Sequence, residues 1–302
     1  MNRTTHQVTR QAIDWLAGSR EHCVFPADTA AALADPNGAY KPLGEMALAA
    51  SLVLREGVAG PAEALAARGL LEHAWQQLGA GALLYERQLR YPLMTDPLEL
   101  YAHFARSGYR HPPLEELLTQ LARLRSTRAA ELVPNRRLAV ANAARIVGLP
   151  IEVNWAALAA TTWLGACPEP WAIDWMTAYH VTHTVFHLTD WGADPGGLPR
   201  YLHSYLRRWL PVWLEVWGEV GEWDLVAELL IVNACLDEPG ELAEDWTRLA
   251  GAQRADGLLP RDAQPVAADP AQAARDHHHP TVVAVVAGTL TLSRSLGSPV
   301  GR

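Results

Sequence analysis

Lysine is almost missing from this 302-residue chain: Lys41 stands alone among 25 basic side chains. A solitary lysine suits a Schiff-base nucleophile, but the Arg, Ala, Leu, Gly and Pro richness makes a composition bias the better account. Cysteine is scarce as well. Cys23, Cys167 and Cys235 are far apart and form no C-x-x-C pair, which excludes a disulfide framework and points to a reducing cytoplasm. The N-terminal stretch lacks the apolar core of a signal peptide, and no apolar run reaches the ~18 residues a membrane span needs. Positive charge is outnumbered: the net charge is −8, which leaves no basic face for nucleic acid. The expectation is a cytoplasmic protein with neither a nucleic-acid nor a membrane partner. Its partner is a small-molecule substrate, and its oligomeric state is not specified. A Gly-rich phosphate loop, a G-x-S-x-G elbow and a dinucleotide fingerprint are also missing.

What is present is helix. Apolar residues recur at helical spacing, as in Leu114, Leu117, Leu118, Leu121 and Leu124. The pattern predicts helices near 7–18, 43–56, 60–79, 97–107, 113–126, 136–148, 154–165, 170–190, 198–218, 222–236, 239–253 and 281–294. Breakers such as Asp35-Pro36-Asn37-Gly38, His111-Pro112-Pro113 and Asp194-Pro195-Gly196-Gly197 separate them. Val282 to Val286 is β-branched, so a short buried strand is the minor alternative there; Pro280 instead suits a helix start. The stretch 262–279 reads as a long loop, and the ends, 1–6 and 295–302, as frayed. The whole chain, 1–302, is expected to form a single all-helical domain.

Several of these helices are apolar nearly all round and fit an inner layer, with amphipathic helices outside. Two concentric layers of about six helical hairpins make an α/α toroid; an irregular helical solenoid is the alternative. The segment Leu249 to Pro260 (LAGAQRADGLLP) resembles the Q-x-x-D-G-x turn of α/α-toroid proteins, among them terpenoid cyclases and prenyltransferase subunits. The resemblance implies that Gln253, Asp256 and Gly257 close an outer helix. The whole chain also resembles an uncharacterised, histidine-rich actinobacterial family. The acidic motifs of terpene cyclases, D-D-x-x-D and D-x-D-D, are not in this sequence.

The strongest chemical signal is the run Tyr179 to Trp191 (YHVTHTVFHLTDW). His180, His183, His187 and Asp190 follow at spacings of three, four and three, so on a helix they fall within an arc of roughly 80°. Imidazoles at such spacing can share one ion. The expectation is that His180, His183 and His187 bind a divalent metal (Zn, Fe or Cu), with Asp190 ligating or orienting. The zincin glutamate is absent, because Thr184 follows His183. A second cluster, Asp276-His277-His278-His279, precedes Pro280, and one of its histidines, His279 foremost, completes the shell or acts as general acid or base. A tension remains: if helices 170–190 and 281–294 lie parallel, His187 and His279 fall at opposite ends.

Twelve tryptophans suit an aromatic pocket or plain helix packing. Packing is the better account of Trp209, Trp213 and Trp217; Trp175 and Trp191 flank the histidines and are the candidate pocket walls. Carboxylates for a glycosidase-like alternative are Glu45, Asp174, Asp190 and Asp224. The expectation is a metal-dependent enzyme acting on a small, partly apolar metabolite, in the setting of natural-product biosynthesis. The rivals are a metal-free cyclase or glycosidase-like enzyme, and a non-catalytic helical scaffold or metal-sensing protein.

Overall fold

The computed structural model describes residues 2–297, and among them no residue lies in a β-strand. The α-helices are α1 (Asn2–Ser19), α2 (Lys41–Glu56), α3 (Pro61–Gln77), α4 (Ala82–Arg90), α5 (Asp96–Arg106), α6 (Pro112–Ala122), α7 (Arg125–Arg128), α8 (Pro134–Val147), α9 (Trp155–Ala160), α10 (Trp175–Leu188), α11 (Arg200–Val220), α12 (Trp223–Cys235), α13 (Ala243–Ala252) and α14 (Pro270–Gly297). The short α4 falls outside the sequence expectation, and the single helix expected over 113–126 is divided into α6 and the one-turn α7. Helix ends follow local chemistry. Proline occupies the first turn of α3, α5, α6 and α8, where its missing N–H costs nothing. Asp174 caps α10 in a reciprocal capping box with Thr177.

Six helices close a cycle of packing contacts: α2 against α5, α5 against α8, α8 against α10, α10 against α12, α12 against α14, and α14 back against α2. Two of them, α10 and α12, are the most apolar helices among the described residues. In α12 every residue from Asp224 to Cys235 is buried, and α14 is buried almost continuously from His277 to Leu290. Each fully buried Leu, Ile or Val contributes roughly 1.5–3 kcal/mol of transfer free energy. Outside the cycle, α1 packs on α14, α3 and α13, and α3 packs on α2. The α1–α14 contact is close: a Cβ on Gly288 would lie 1.7 Å from Thr9 Oγ1.

The Q-x-x-D-G segment follows α13. Gln253 Nε2 donates to the carbonyls of Val8 (3.1 Å) and Gly257 (2.9 Å), tying this turn to α1. Gly257 has φ 98°, and a side chain there would strike the Gln11 carbonyl at 2.0 Å; only glycine fits such a place.

Two expectations need correction. The stretch 262–279 is not a loop throughout, because α14 begins at Pro270. Asp269 accepts from the backbone N–H of Gln272 (3.1 Å), and an alanine-rich first turn follows; these outweigh the punctuation of Pro280, which sits inside the helix. Val282 to Val286 is helical, as the 281–294 helix expectation had it, and the strand alternative falls; tertiary burial overrides β-branched preference. Residues 2–6 and 295–297 are helical rather than frayed; residue 1 and residues 298–302 lie outside the described residues. Among the described residues no helix is long and apolar enough to cross a membrane.

Candidate functional site

The six helices of the cycle meet at two levels. At one end gather Glu45 on α2, Glu99 on α5, Asn135 and Arg136 on α8, Tyr179 on α10, and Asp224 and Glu228 on α12, all from N-terminal halves, with His183 from just past the middle of α10. At the other end Arg55, Arg106 and Asn142 meet Asp190, just past α10. The helices therefore run in one common sense.

The centre of the first level is His279. One ring nitrogen, Nδ1, donates to Glu45 Oε1 at 2.7 Å. The other, Nε2, faces Asp224 Oδ1 at 3.5 Å and Glu228 Oε1 at 3.6 Å. His183 Nε2 reaches the same Glu228 oxygen at 3.6 Å. The spacing of four residues puts Asp224 and Glu228 on one face of α12, and their side chains are only 3% and 2% exposed. Their outer oxygens are occupied: Tyr179 donates to Asp224 Oδ2 at 2.5 Å, and Thr182 donates to Glu228 Oε2. Asp224 Oδ1, by contrast, is sealed from solvent and has no hydrogen-bond partner. The cluster opens outward through His279 (29% exposed) and His183 (43%).

Burial and charge set opposite protonation states on these groups. Burial alone would raise Glu45, but the His279 imidazolium and then Lys41 outweigh it and hold the carboxyl down at about 2. Glu228 is held low in the same way, by His183 and His279 against burial. Asp224 is pushed up by burial and by the negative charges of Glu228 and Glu45, against the pull of His279. His279 itself stands well above the usual imidazole range: burial opposes its charge, and Glu45, Asp224 and Glu228 override it.

The histidine triplet divides its work. His277 Nδ1 accepts from the backbone N–H of Arg261 at 3.1 Å, pinning the chain before α14. His278 donates from Nε2 to the Pro42 carbonyl at 3.1 Å, and its Nδ1 lies 3.5 Å from Cys23 Sγ. Burial, then Glu45, lifts that thiol to about 12, so it is held neutral and un-nucleophilic. Only His279 enters the cluster. The tension over His279 is resolved by the true start of α14. His279 lies nine residues inside the helix, about 14 Å along its axis, and so reaches the level of His183.

The α10 histidines are less united than their spacing implies. His183 and His187 are neighbours, with ring centroids 6.2 Å apart. His180 contributes its carbonyl, which accepts from Asn135 Nδ2 (2.9 Å) and Thr184 Oγ1 (2.6 Å). Among the described residues no group of three or more His, Cys, Asp or Glu side chains is set to hold a metal ion. Asp190 does not orient His187. Its carboxylate takes a two-pronged grip from Arg106 (2.6 and 3.1 Å) and a bond from Asn142 (3.3 Å). Asp174 serves as the α10 cap. Trp191 is buried, stacked on Phe186 at 4.4 Å, and Trp175 is 51% exposed, edge-on to Tyr179 at 5.0 Å.

A second polar cluster adjoins the first through His187, between α5, α8 and α10. Glu99 pairs with Arg136 at 2.7 Å through Oε2. Four atoms here are sealed from solvent and lack a hydrogen-bond partner: Glu99 Oε1, His103 Nδ1, His187 Nδ1 and Asn135 Oδ1. Burial, then Arg106, lowers His103 to about 3. Burial, then His183, Arg136 and His103, drives His187 well below its usual value. Both rings are neutral.

Glu45 and Asp224 were visible in the sequence as spare carboxylates. Glu228, Tyr179, Glu99 and His103 were not singled out. The available signal was acid in an otherwise apolar helix: Asp224 and Glu228 are the only charges between Trp223 and Cys235.

Residues 9–289 match the family described as "Domain of unknown function (DUF6895)", and the chain belongs to that family. No curated protein and no solved structure matches it.

Proposed function

We propose that this DUF6895 chain is an enzyme that moves a proton at the His279 cluster, on a small, partly apolar molecule entering past His183. One observation carries the reading. Three carboxylates from two helices surround one imidazole, and a single buried carboxylate oxygen, Asp224 Oδ1, is left without a partner. Environments that push neighbouring carboxyl groups apart in pKa assign acid and base roles. Asp224, held high and oriented by Tyr179, gives or takes the proton. Glu45 and Glu228 stay ionised and stabilise positive charge that develops on the substrate. Glu45 also fixes the ring of His279. The closed cycle of six helices, with its common sense, supports an α/α toroid over an open solenoid, and the site then lies at one mouth of the inner ring. The proposed setting is cytoplasmic, consistent with three free cysteines.

A second reading keeps a divalent metal such as Zn, Fe or Cu. The facing atoms of His183, Glu228, His279 and Asp224 lie 3.5–3.6 Å apart in successive pairs; as they stand no three of them are set to hold an ion, so an ion would have to draw these side chains together. Their outer atoms have supporting partners, as metal ligands do. This ligand set would retain His183 and leave out His180 and His187.

The test follows consumption of a panel of small hydroxylated and amine-bearing metabolites by mass spectrometry, with and without chelator. The expected outcome is turnover that survives chelation and falls at least about a hundredfold in Asp224→Asn. No turnover, or full activity in Asp224→Asn, would overturn the proposal. Loss on chelation, restored by Zn, Fe or Cu, would replace it with the metal reading.

A further inference from the structure

The second cluster has features that a structural network does not share. Buried polar groups in folded proteins are nearly always hydrogen-bonded, yet four side chains on three adjoining helices each carry an atom without a partner here. Their proximity is fixed by several contacts. Glu99 and His103 stand four residues apart on α5, Glu99 is tied to Arg136, and Asn135 is tied to α10 through Thr184 Oγ1 at 3.0 Å. The formal charges are already matched, Arg136 by Glu99 and Arg106 by Asp190. No unmatched charge is left to receive an ammonium, a carboxylate or a phosphate. Beside the Glu99 carboxylate, already paired with Arg136, the cluster offers the ring nitrogens of His103 and His187 and the Asn135 amide, groups that can donate and accept. A hydroxyl group has the same dual character.

We propose that Glu99, His103, Asn135 and His187 form a binding subsite for an uncharged, hydroxyl-bearing part of the substrate, a polyol or sugar-like group. The inference deepens the proton-transfer reading: the substrate's hydroxyls dock on the α5–α8–α10 side, and its reacting atom reaches the His279 side past His183. His183 and His187 are successive turns of one helix, so the two halves adjoin along α10. The sealed nitrogens come into play when the imidazoles turn about their Cβ–Cγ bonds.

The experiment is calorimetric titration with glucose and myo-inositol, and with glucuronate as the charged counterpart of glucose. Titrations use wild type, His103→Leu, His187→Leu and Asp224→Asn. The neutral probes should bind more tightly than glucuronate, and each leucine variant should weaken them about three- to tenfold, the worth of one lost neutral hydrogen bond. Asp224→Asn should leave their binding unchanged, so a failed catalytic reading and a failed subsite are told apart. Leucine for an unpartnered buried imidazole should leave the ligand-free melting temperature at pH 7 unchanged or higher. Four results would overturn the subsite: no binding of either neutral probe, equal or tighter binding of glucuronate, unaltered binding in both leucine variants, or binding lost in Asp224→Asn. A lower melting temperature in the leucine variants would assign the rings to structure and overturn it too.

Discussion

The two polar clusters use the same residue types and reach opposite electrical states. On the α2–α12–α14 side, His279 sits among three carboxylates and is charged. On the α5–α8–α10 side, His103 and His187 are about as deeply set but face arginines and one another, and they are neutral. Burial disfavours the charged imidazole in both places. What differs is the neighbour. An imidazole is a switch or a neutral hydrogen-bonding group according to which side chains the adjacent helix presents.

The comparison breaks most sharply at His279. His279→Ala strands Glu45 and Glu228 in the interior without their counter-charge. The expected cost is about 3–5 kcal/mol, as for other buried pairs broken from one side, read as a fall in the denaturant midpoint. A loss under about 1 kcal/mol would mean that water already reaches these carboxylates.

Next is the pH profile. A base whose folded pKa is depressed binds its proton only when unfolded, so stability falls as pH drops below 6.5. For His103 the loss runs from 6.5 toward about 3, at about 1.4 kcal/mol per pH unit. His279, raised, contributes stability that is complete below 6.5 and is lost as pH rises through its folded value. Glu45, depressed, contributes stability that is lost only as pH falls from 4.5 through about 2. Urea titrations of wild type and His103→Leu should therefore diverge between pH 6.5 and 5 and coincide in slope above 7. Parallel profiles across the acid range would show that His103 is already charged in the folded chain.

The smallest effect sharpens the assignment on the acidic side. Lys41 Nζ also lies 3.5 Å from Glu45 Oε1, but its side chain is 53% exposed. Lys41→Met should change stability by no more than about 0.5 kcal/mol, leaving His279 as the group that holds Glu45. A drop comparable to that of His279→Ala would reverse the ranking.

Much of this was legible in the chain itself, for identifiable reasons. Helical periodicity, Pro/Gly punctuation and the Q-x-x-D-G segment each report local chemistry, and the all-α fold followed from them. His183 was legible because i/i+4 spacing is also local. The partners of His183 and His279 were not legible, since Glu228 and Glu45 join them only across helix interfaces, and no single-helix pattern encodes that meeting. His180 shows the converse. Its spacing is as good as that of His187, yet it is the His180 carbonyl that meets Asn135 of α8. The start of α14 was misplaced because Pro280 is a stronger local signal than the alanine-rich turns before it.

Asp190 and Trp191 both adopt left-handed backbone, φ 47° and 54°, immediately before Gly192 at 76°. Each non-glycine residue so placed costs about 1–3 kcal/mol, and the turn is held by Arg55, which donates to the Asp190 and Trp191 carbonyls at 2.9 and 2.6 Å. Arg55 belongs to α2, which stands across the ring from α10. A guanidinium thus ties opposite walls together like a crossbar at the end remote from His279.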